Sequence, residues 1–210
     1  MISIENISLV RAGQNLLTEI NYDFHEGHIY GLVGNNGSGK TVLMKCILGF
    51  MRPDKGTIKI SGEKIGIDID FPDDAGIIIE TPGFFPELSG YKNLMHLASM
   101  RNKIHAQDVK ETMIKVGLDP ESSKKVSKYS LVMRQRLGIA QAIMEKPNLL
   151  ILDEPFNGLD KEGIRDMRQL IAEYKSKDRI IILSSHNETD INTLCDTVLE
   201  MDGGVLQEKV

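Results

Sequence analysis

Tryptophan is missing from this chain, and only two cysteines, Cys46 and Cys195, occur in its 210 residues. They stand far apart, with no CxxC pair and no histidine-rich neighbour. That argues against a disulfide framework or a zinc site and suits a reducing compartment. Long apolar runs are lacking too. The longest, "LLIL" and "IIIL", are strand-sized and far below the ~20 residues that span a bilayer, so the chain is not expected to cross a membrane by itself. The opening "MISIENISLV" has no cationic start followed by an apolar core and does not read as a signal peptide. No basic block dominates any segment, and the formal charge of -5 at pH 7 argues against a nucleic-acid partner. Neither an internal repeat nor a low-complexity linker is visible. What is left is ordinary globular composition, 41% apolar and 26% charged, in a chain long enough for one substantial core.

The pattern along the chain is that of an α/β protein. "ISIENISLV" and "LLTEINYDF" alternate as half-exposed strands around the glycine-containing "RAGQN". "HIYGLV" is a buried-type strand that runs into a glycine loop and then the helix "KTVLMKCILGF", and "GTIKI" and "AGIIIE" are further short strands. From about residue 82 to 140 the texture becomes helical: "YKNLMHLASMRN", "AQDVKETMIKVGL" and "LVMRQRLGIAQAIMEK" carry helical spacing, with Met133, Leu137, Ala140 and Met144 on one stripe. "NLLILDE" and "RIIILSSH" are continuous apolar runs ending in polar residues, as expected of parallel strands buried on both faces. The expectation is a mostly parallel α/β core (residues 1–81 and 141–210) led by an antiparallel β portion, with a helical subdomain inserted at residues 82–140.

"GNNGSGKT", Gly34 to Thr41, fits the phosphate-loop pattern G-x-x-x-x-G-K-[ST] between a strand and a helix. Glycines let successive backbone N–H groups curl around phosphates, Lys40 adds a positive charge and the Thr41 hydroxyl can ligate Mg²⁺. The candidate nucleotide contacts are therefore Gly34, Asn35, Asn36, Gly37, Ser38, Gly39, Lys40, Thr41 and Val42. The strand "NLLIL" delivers Asp153 to its carboxyl end, where a phosphate-loop protein places the acid that holds Mg²⁺. Glu154 follows as the candidate for polarising an attacking water. Alone, these would be two solvated acids; behind the phosphate loop they read as a site. His186 ends another buried strand, 33 residues after Asp153, and could face the γ-phosphate. His25, His28, His96 and His105 have no such placement and read as surface or packing residues, and the ten methionines read as core filler.

Together, "GNNGSGKT", "LLILDEP", "NGLD" and "SSH", in this order with a helical segment between, resemble an ABC-transporter ATP-binding subunit over essentially the whole chain. The resemblance implies a peripheral subunit on the cytoplasmic face of the membrane. It would bind ATP and Mg²⁺, pair head to tail with a second such domain (a homodimer or a heterodimer) and drive separately encoded membrane-spanning subunits. It also implies that Asp160 in "NGLD" reaches across the dimer. The stretch "TPGFFPELSGYKNL" looks like the region that receives the membrane subunit.

Three positions depart from the family pattern. Glu80 stands where a glutamine usually contacts Mg²⁺ and the attacking water; a carboxylate can still ligate a hard cation, so Glu80 joins Thr41 and Asp153 as a candidate metal ligand and Glu154 and His186 as a candidate catalytic group. Glutamate there, followed by proline, glycine and aromatics, resembles ATPases of bacterial lantibiotic-immunity and bacitracin-resistance exporters. The aromatic that usually stacks on adenine is replaced near Arg11, whose guanidinium plane can also stack on a base; a solvated loop arginine is the alternative. Finally, the family signature, approximately Leu-Ser-Gly-Gly-Gln, reads Tyr129-Ser130-Leu131-Val132-Met133. This signature opens a helix whose dipole and free N–H groups meet the opposite subunit's γ-phosphate. Ser130 survives, and Val132 puts a β-branched side chain where backbone and nucleotide should meet.

Two readings follow: an export ATPase, or a nucleotide-binding module whose closure or hydrolysis Val132 impairs. A DNA-repair or translation protein of the same superfamily lacks its long coiled coil or second cassette here, and a metabolite kinase leaves "NGLD" and the His186 strand unexplained.

Overall fold

The computed structural model describes residues 1–80 and 83–209. A four-stranded antiparallel sheet forms first, from β1 (Ile2–Arg11), β2 (Gln14–Phe24), β4 (Lys55–Ile60) and β5 (Glu63–Lys64) in the order β2-β1-β4-β5. Its alternation slips by one residue between Ile4 and Ile7, where Asn6 takes φ 52° and the β1–β2 register shifts. The bulge lets Ile2, Ile4, Ile7 and Leu9 all point inward.

The second sheet has six strands in the order β10-β9-β3-β8-β7-β6. β3 (His28–Val33), β6 (Ala75–Ile78), β7 (Leu149–Leu152), β8 (Ile180–Ser184) and β9 (Thr197–Asp202) run parallel, and β10 (Val205–Glu208) closes the edge antiparallel to β9. Every residue of β7 and β8 is buried. The reason is layering: Leu150 and Leu152 enter one apolar core, while Leu149 and Ile151 enter the other. The first core is shared with α2 (Gly90–Arg101), α3 (Ala106–Lys115), α4 (Leu131–Ile143) and α5 (Lys161–Tyr174); the second holds α1 (Lys40–Ile47) and the antiparallel sheet. Residues 83–140 thus carry α2, α3 and most of α4, and they share a core with the sheet instead of enclosing one of their own. Truncating Ile151, fully buried between the layers, would cost about 2–5 kcal/mol.

The structure adds elements beyond those expected from the sequence, among them the short strand β5, α5, α6 (Glu188–Leu194) and the β9–β10 hairpin. α5 packs Ile164, Met167, Leu170, Ile171 and Tyr174 on the first core at helical spacing, an amphipathic period that is present in the sequence among its charged residues. The hairpin turns at Gly203 and Gly204, both at positive φ, as a two-residue loop requires.

The consequence for function is positional. The loops after β3, β6, β7 and β8 all leave from the carboxyl edge of one parallel sheet, where open α/β sheets place their binding crevices.

Candidate functional site

The loop from Gly34 to Lys40 carries β3 into α1. Gly34 has φ 142°, and a Cβ there would stand 2.1 Å from the Met201 carbonyl oxygen; only glycine fits. Gly39 is the left-handed N-cap of α1, at φ 112°, and no side chain caps the helix. Its first N–H groups therefore stay available to an anion. Lys40 is only 7% exposed, and its Nζ donates back across the loop to the Gly34 and Asn35 carbonyl oxygens at 2.7 and 3.1 Å. Asn35, Asn36 and Gly37 are exposed at the loop tip, Ser38 is buried, and Val42 is half-buried in the first turn. The Ser38 Oγ is buried without a hydrogen-bond partner, an orphan inside a loop otherwise made of backbone donors.

β7 and β8 bring the acids to this loop. Thr41 Oγ1 donates to Asp153 Oδ2 at 2.7 Å, and Ser184 Oγ donates to Asp153 Oδ1 at 2.7 Å. The same Ser184 oxygen accepts the Glu154 N–H at 2.9 Å. Glu154 sits at φ 50°, and Gln135 of α4 donates to the Glu154 and Pro155 carbonyl oxygens at 3.3 and 2.8 Å. The Glu154 Oε2 accepts the His186 N–H at 3.3 Å, while His186 Nε2 lies 2.9 Å from Oε1 without the alignment of a hydrogen bond. Burial holds the Glu154 carboxyl above the usual carboxylate range, opposed by His186 and, more weakly, by Lys40. Thr41, Asp153, Glu154 and His186 thus form one connected cluster, from residues 145 positions apart. Ser184 and Gln135 complete it and were not among the expected residues; a hydroxyl directly ending the all-aliphatic "IIIL" run is the available signal for Ser184.

Other expected residues lie differently. Glu80 is not hydrogen-bonded to that cluster among the described residues. Its side chain is 67% exposed, at φ 58°, and pairs with Lys45 Nζ of α1 at 2.5 Å. Thr81 and Pro82, which open the stretch expected to receive a membrane subunit, lie outside the described residues. Arg11 is committed elsewhere: its guanidinium donates to Asp54 at 3.0 and 3.2 Å and to the Val10 and Arg52 carbonyl oxygens. Stacking on a base would have to use a plane whose edge is already paired. Ser130 caps α4, its Oγ accepting the Met133 N–H at 3.2 Å, and Asp160 caps α5 by accepting the Gly163 N–H at 2.9 Å. Val132 is half-buried in the first turn of α4, and Leu131 beside it is 65% exposed. Leu131 lies over Gly158 so closely that a Cβ on Gly158 would meet its Cδ2 at 2.5 Å. A cavity of about 510 Å³ touches Gly34 and Asn35, but Glu200 and Asp202 line it, the wrong charge for polyphosphate. The donors left open to an anion are those of the glycine loop and the first turn of α1.

A family model described as ABC transporter matches residues 17–157, from inside β2 to just past Glu154. The chain belongs to the ABC transporter family. It is an ATP-binding subunit. An uncharacterized ABC transporter ATP-binding protein of Bacillus subtilis (strain 168), YybJ, is 42% identical over the whole chain and 97% of its own length. The bacitracin transport ATP-binding protein BcrA of Enterococcus faecalis is 41% identical over the whole chain and 69% of its own length. Among solved structures, an ATP-binding subunit of an ABC transporter superposes with a TM-score of 0.88 at 27% identity, covering the whole chain and 90% of its own. The mixed architecture of antiparallel sheet, parallel sheet and helices is that of the family's ATP-binding domains. No helix among the described residues is long and apolar enough to cross a membrane.

Proposed function

We propose that this subunit hydrolyses ATP in the presence of Mg²⁺, as one member of a head-to-tail pair on the cytoplasmic face of the membrane, and so drives a separately encoded membrane-spanning subunit that exports a peptide antibiotic. The observation that carries the reading is the Glu154 carboxylate, held between the His186 turn and the Thr41–Asp153 pair. Relatedness to a bacitracin transport subunit supports the cargo class.

The residues fit a Mg²⁺ nucleotide. No group of three His, Cys, Asp or Glu side chains among the described residues could hold a metal alone. That agrees with Mg²⁺, which takes one or two protein oxygens and completes its shell with phosphate and water. Thr41 and Asp153, already 2.7 Å apart, would be the two protein oxygens, with Glu80, whose Oε1 pairs with Lys45, a further candidate ligand. When bound, the ion supplies positive charge against the charge developing on the transferred phosphoryl group.

The chain's own groups do the rest. The loop N–H groups and Lys40 fix the phosphates, and the Ser38 hydroxyl gains the partner it lacks. Glu154 accepts a proton from the water that attacks the γ-phosphorus, inorganic phosphate forms and ADP leaves. Its raised proton affinity suits a general base, and His186 orients both the carboxylate and the γ-phosphate. In Glu154→Gln, turnover should fall by about 10²–10⁴, while equilibrium titration shows ATP binding within twofold of wild type. Unchanged turnover would remove Glu154 from the role.

A second reading is favoured by one observation, the side chains of Leu131 and Val132 at the opening of α4. On that reading the subunit binds ATP but closes poorly on its partner. ATP-dependent dimerisation measured by sedimentation, before and after Val132→Gly, separates the two: a large gain supports impaired closure, and equal values show that valine is accommodated.

A further inference from the structure

Asp190, in α6, is a carboxylate with 1% of its surface exposed, and both of its oxygens are used. Oδ1 accepts Arg168 Nε of α5 at 2.7 Å and also faces Arg168 Nη2; Oδ2 accepts the Ser185 hydroxyl at 2.7 Å. Ser185 Oγ in turn accepts the Asn187 N–H at 3.1 Å, and the Asp190 N–H returns to the Asn187 carbonyl oxygen at 3.0 Å. The two residues flanking His186 are therefore both tied to one buried ion pair.

Stability alone is a weak reason to keep such a pair, because well-packed apolar residues in its place are often as stabilising. What an apolar substitute could not do is grip the Ser185 hydroxyl. That grip sets the direction of the backbone at His186, whose N–H meets Glu154 Oε2 and whose ring stands against Oε1. Arg168 adds a second connection. It lies eight residues, about 12 Å of helix, from Asp160, the N-cap of the same α5. The opening of α5 and the His186 turn are thereby joined through one rigid helix and one ion pair.

We propose that Asp190, clamped by Arg168, is a positioning residue that aims His186 at Glu154 through Ser185. The kinetic part of this inference rests on the hydrolytic reading above; the geometric part does not.

The test has a nucleotide-free arm. In the purified chain, the His186 Hε1 resonance is assigned by its loss in His186→Gln. Its shift on Glu154→Gln is then measured in the wild-type, Ser185→Ala and Asp190→Asn backgrounds. A positioning role predicts a clear shift in the wild-type background that falls below about half in the other two, since contact decays steeply with misalignment. Equal shifts in all three backgrounds, in chains whose circular dichroism is unchanged, overturn the proposal. Ser185→Ala removes one hydroxyl and leaves the ion pair intact, so it decides the question even where Asp190→Asn fails to fold.

The kinetic arm predicts that Ser185→Ala lowers kcat about tenfold or more with KM for ATP within twofold, the signature of misplacement and not of lost binding. Arg168→Ala should do the same and Arg168→Lys, which keeps the charge, should recover most of the loss. Unaltered kcat in Ser185→Ala and Arg168→Ala overturns the proposal. A wild-type chain without turnover sinks the hydrolytic reading alone, because the resonance arm still decides whether Asp190 aims His186.

Discussion

The openings of α1 and α4 are built on opposite plans, although the resemblance to the family brings a phosphate to both. At α1 the cap is a left-handed glycine, no side chain uses the first N–H groups, and the Ser38 hydroxyl is buried without a partner. At α4 a serine in extended conformation caps the helix in the ordinary way, and Leu131 and Val132 follow at once. The first opening is under-satisfied as it stands and ready for an anion. In the second, the Ser130 hydroxyl already takes the Met133 N–H, so a phosphate there competes with a cap and meets the β-branched side chain of Val132. The difference teaches that one opening leaves its donors uncapped, whereas the other spends one of them on its own serine.

The comparison can be broken from either side. Gly34→Ala attacks the α1 opening where a Cβ would stand 2.1 Å from Met201 O. It should cost about 3 kcal/mol or more, some 10 °C in melting temperature, and weaken ATP binding on the order of a hundredfold, about 2.7 kcal/mol; calorimetry and nucleotide titration check both. Val132→Gly clears the α4 opening and should leave ATP affinity for the single chain unchanged while turnover rises about tenfold, about 1.4 kcal/mol of barrier. A steady-state rate equal to wild type would show the two openings to be functionally alike despite their construction.

The smallest effects sharpen the contrast. Ser130→Ala removes a working cap and should lower stability by about 1 kcal/mol. Ser38→Ala removes a hydroxyl that has no partner without nucleotide, so the stability of the free chain should be unchanged or rise by up to about 1 kcal/mol. Denaturant titration of the two variants side by side should therefore show a loss for Ser130→Ala and none for Ser38→Ala. Equal losses would mean that the Ser38 hydroxyl is paired in solution.

Much of this was legible along the chain because it is local. The phosphate loop is a contiguous run, and "LLILDE" and "IIILSSH" announce themselves as buried parallel strands whose ends carry chemistry. The antiparallel lead and the three helices between residues 82 and 143 are equally plain from their periods. α5 is legible by the same rule, through Ile164, Met167, Leu170, Ile171 and Tyr174, whereas the short exposed strand β10 carries little alternation of its own. Side-chain partners were the least legible. Glu80 reads as a metal ligand by its place in the chain, yet it meets Lys45, 35 residues away on α1. Arg11 reads as a stacking plane, yet Asp54 and the Arg52 carbonyl oxygen take its donors.

By itself the sequence determined which residue types stand at the carboxyl ends of the buried strands, because backbone hydrogen bonding and alternating burial make that a matter of local order. Only the tertiary structure decided that Ser184 bridges Asp153 and Glu154, that Asp190 and Arg168 brace the turn around His186, and that Leu131 lies over Gly158. Those choices depend on which of several donors and acceptors from distant segments come within 3 Å of one another, and no spacing along the chain encodes that distance.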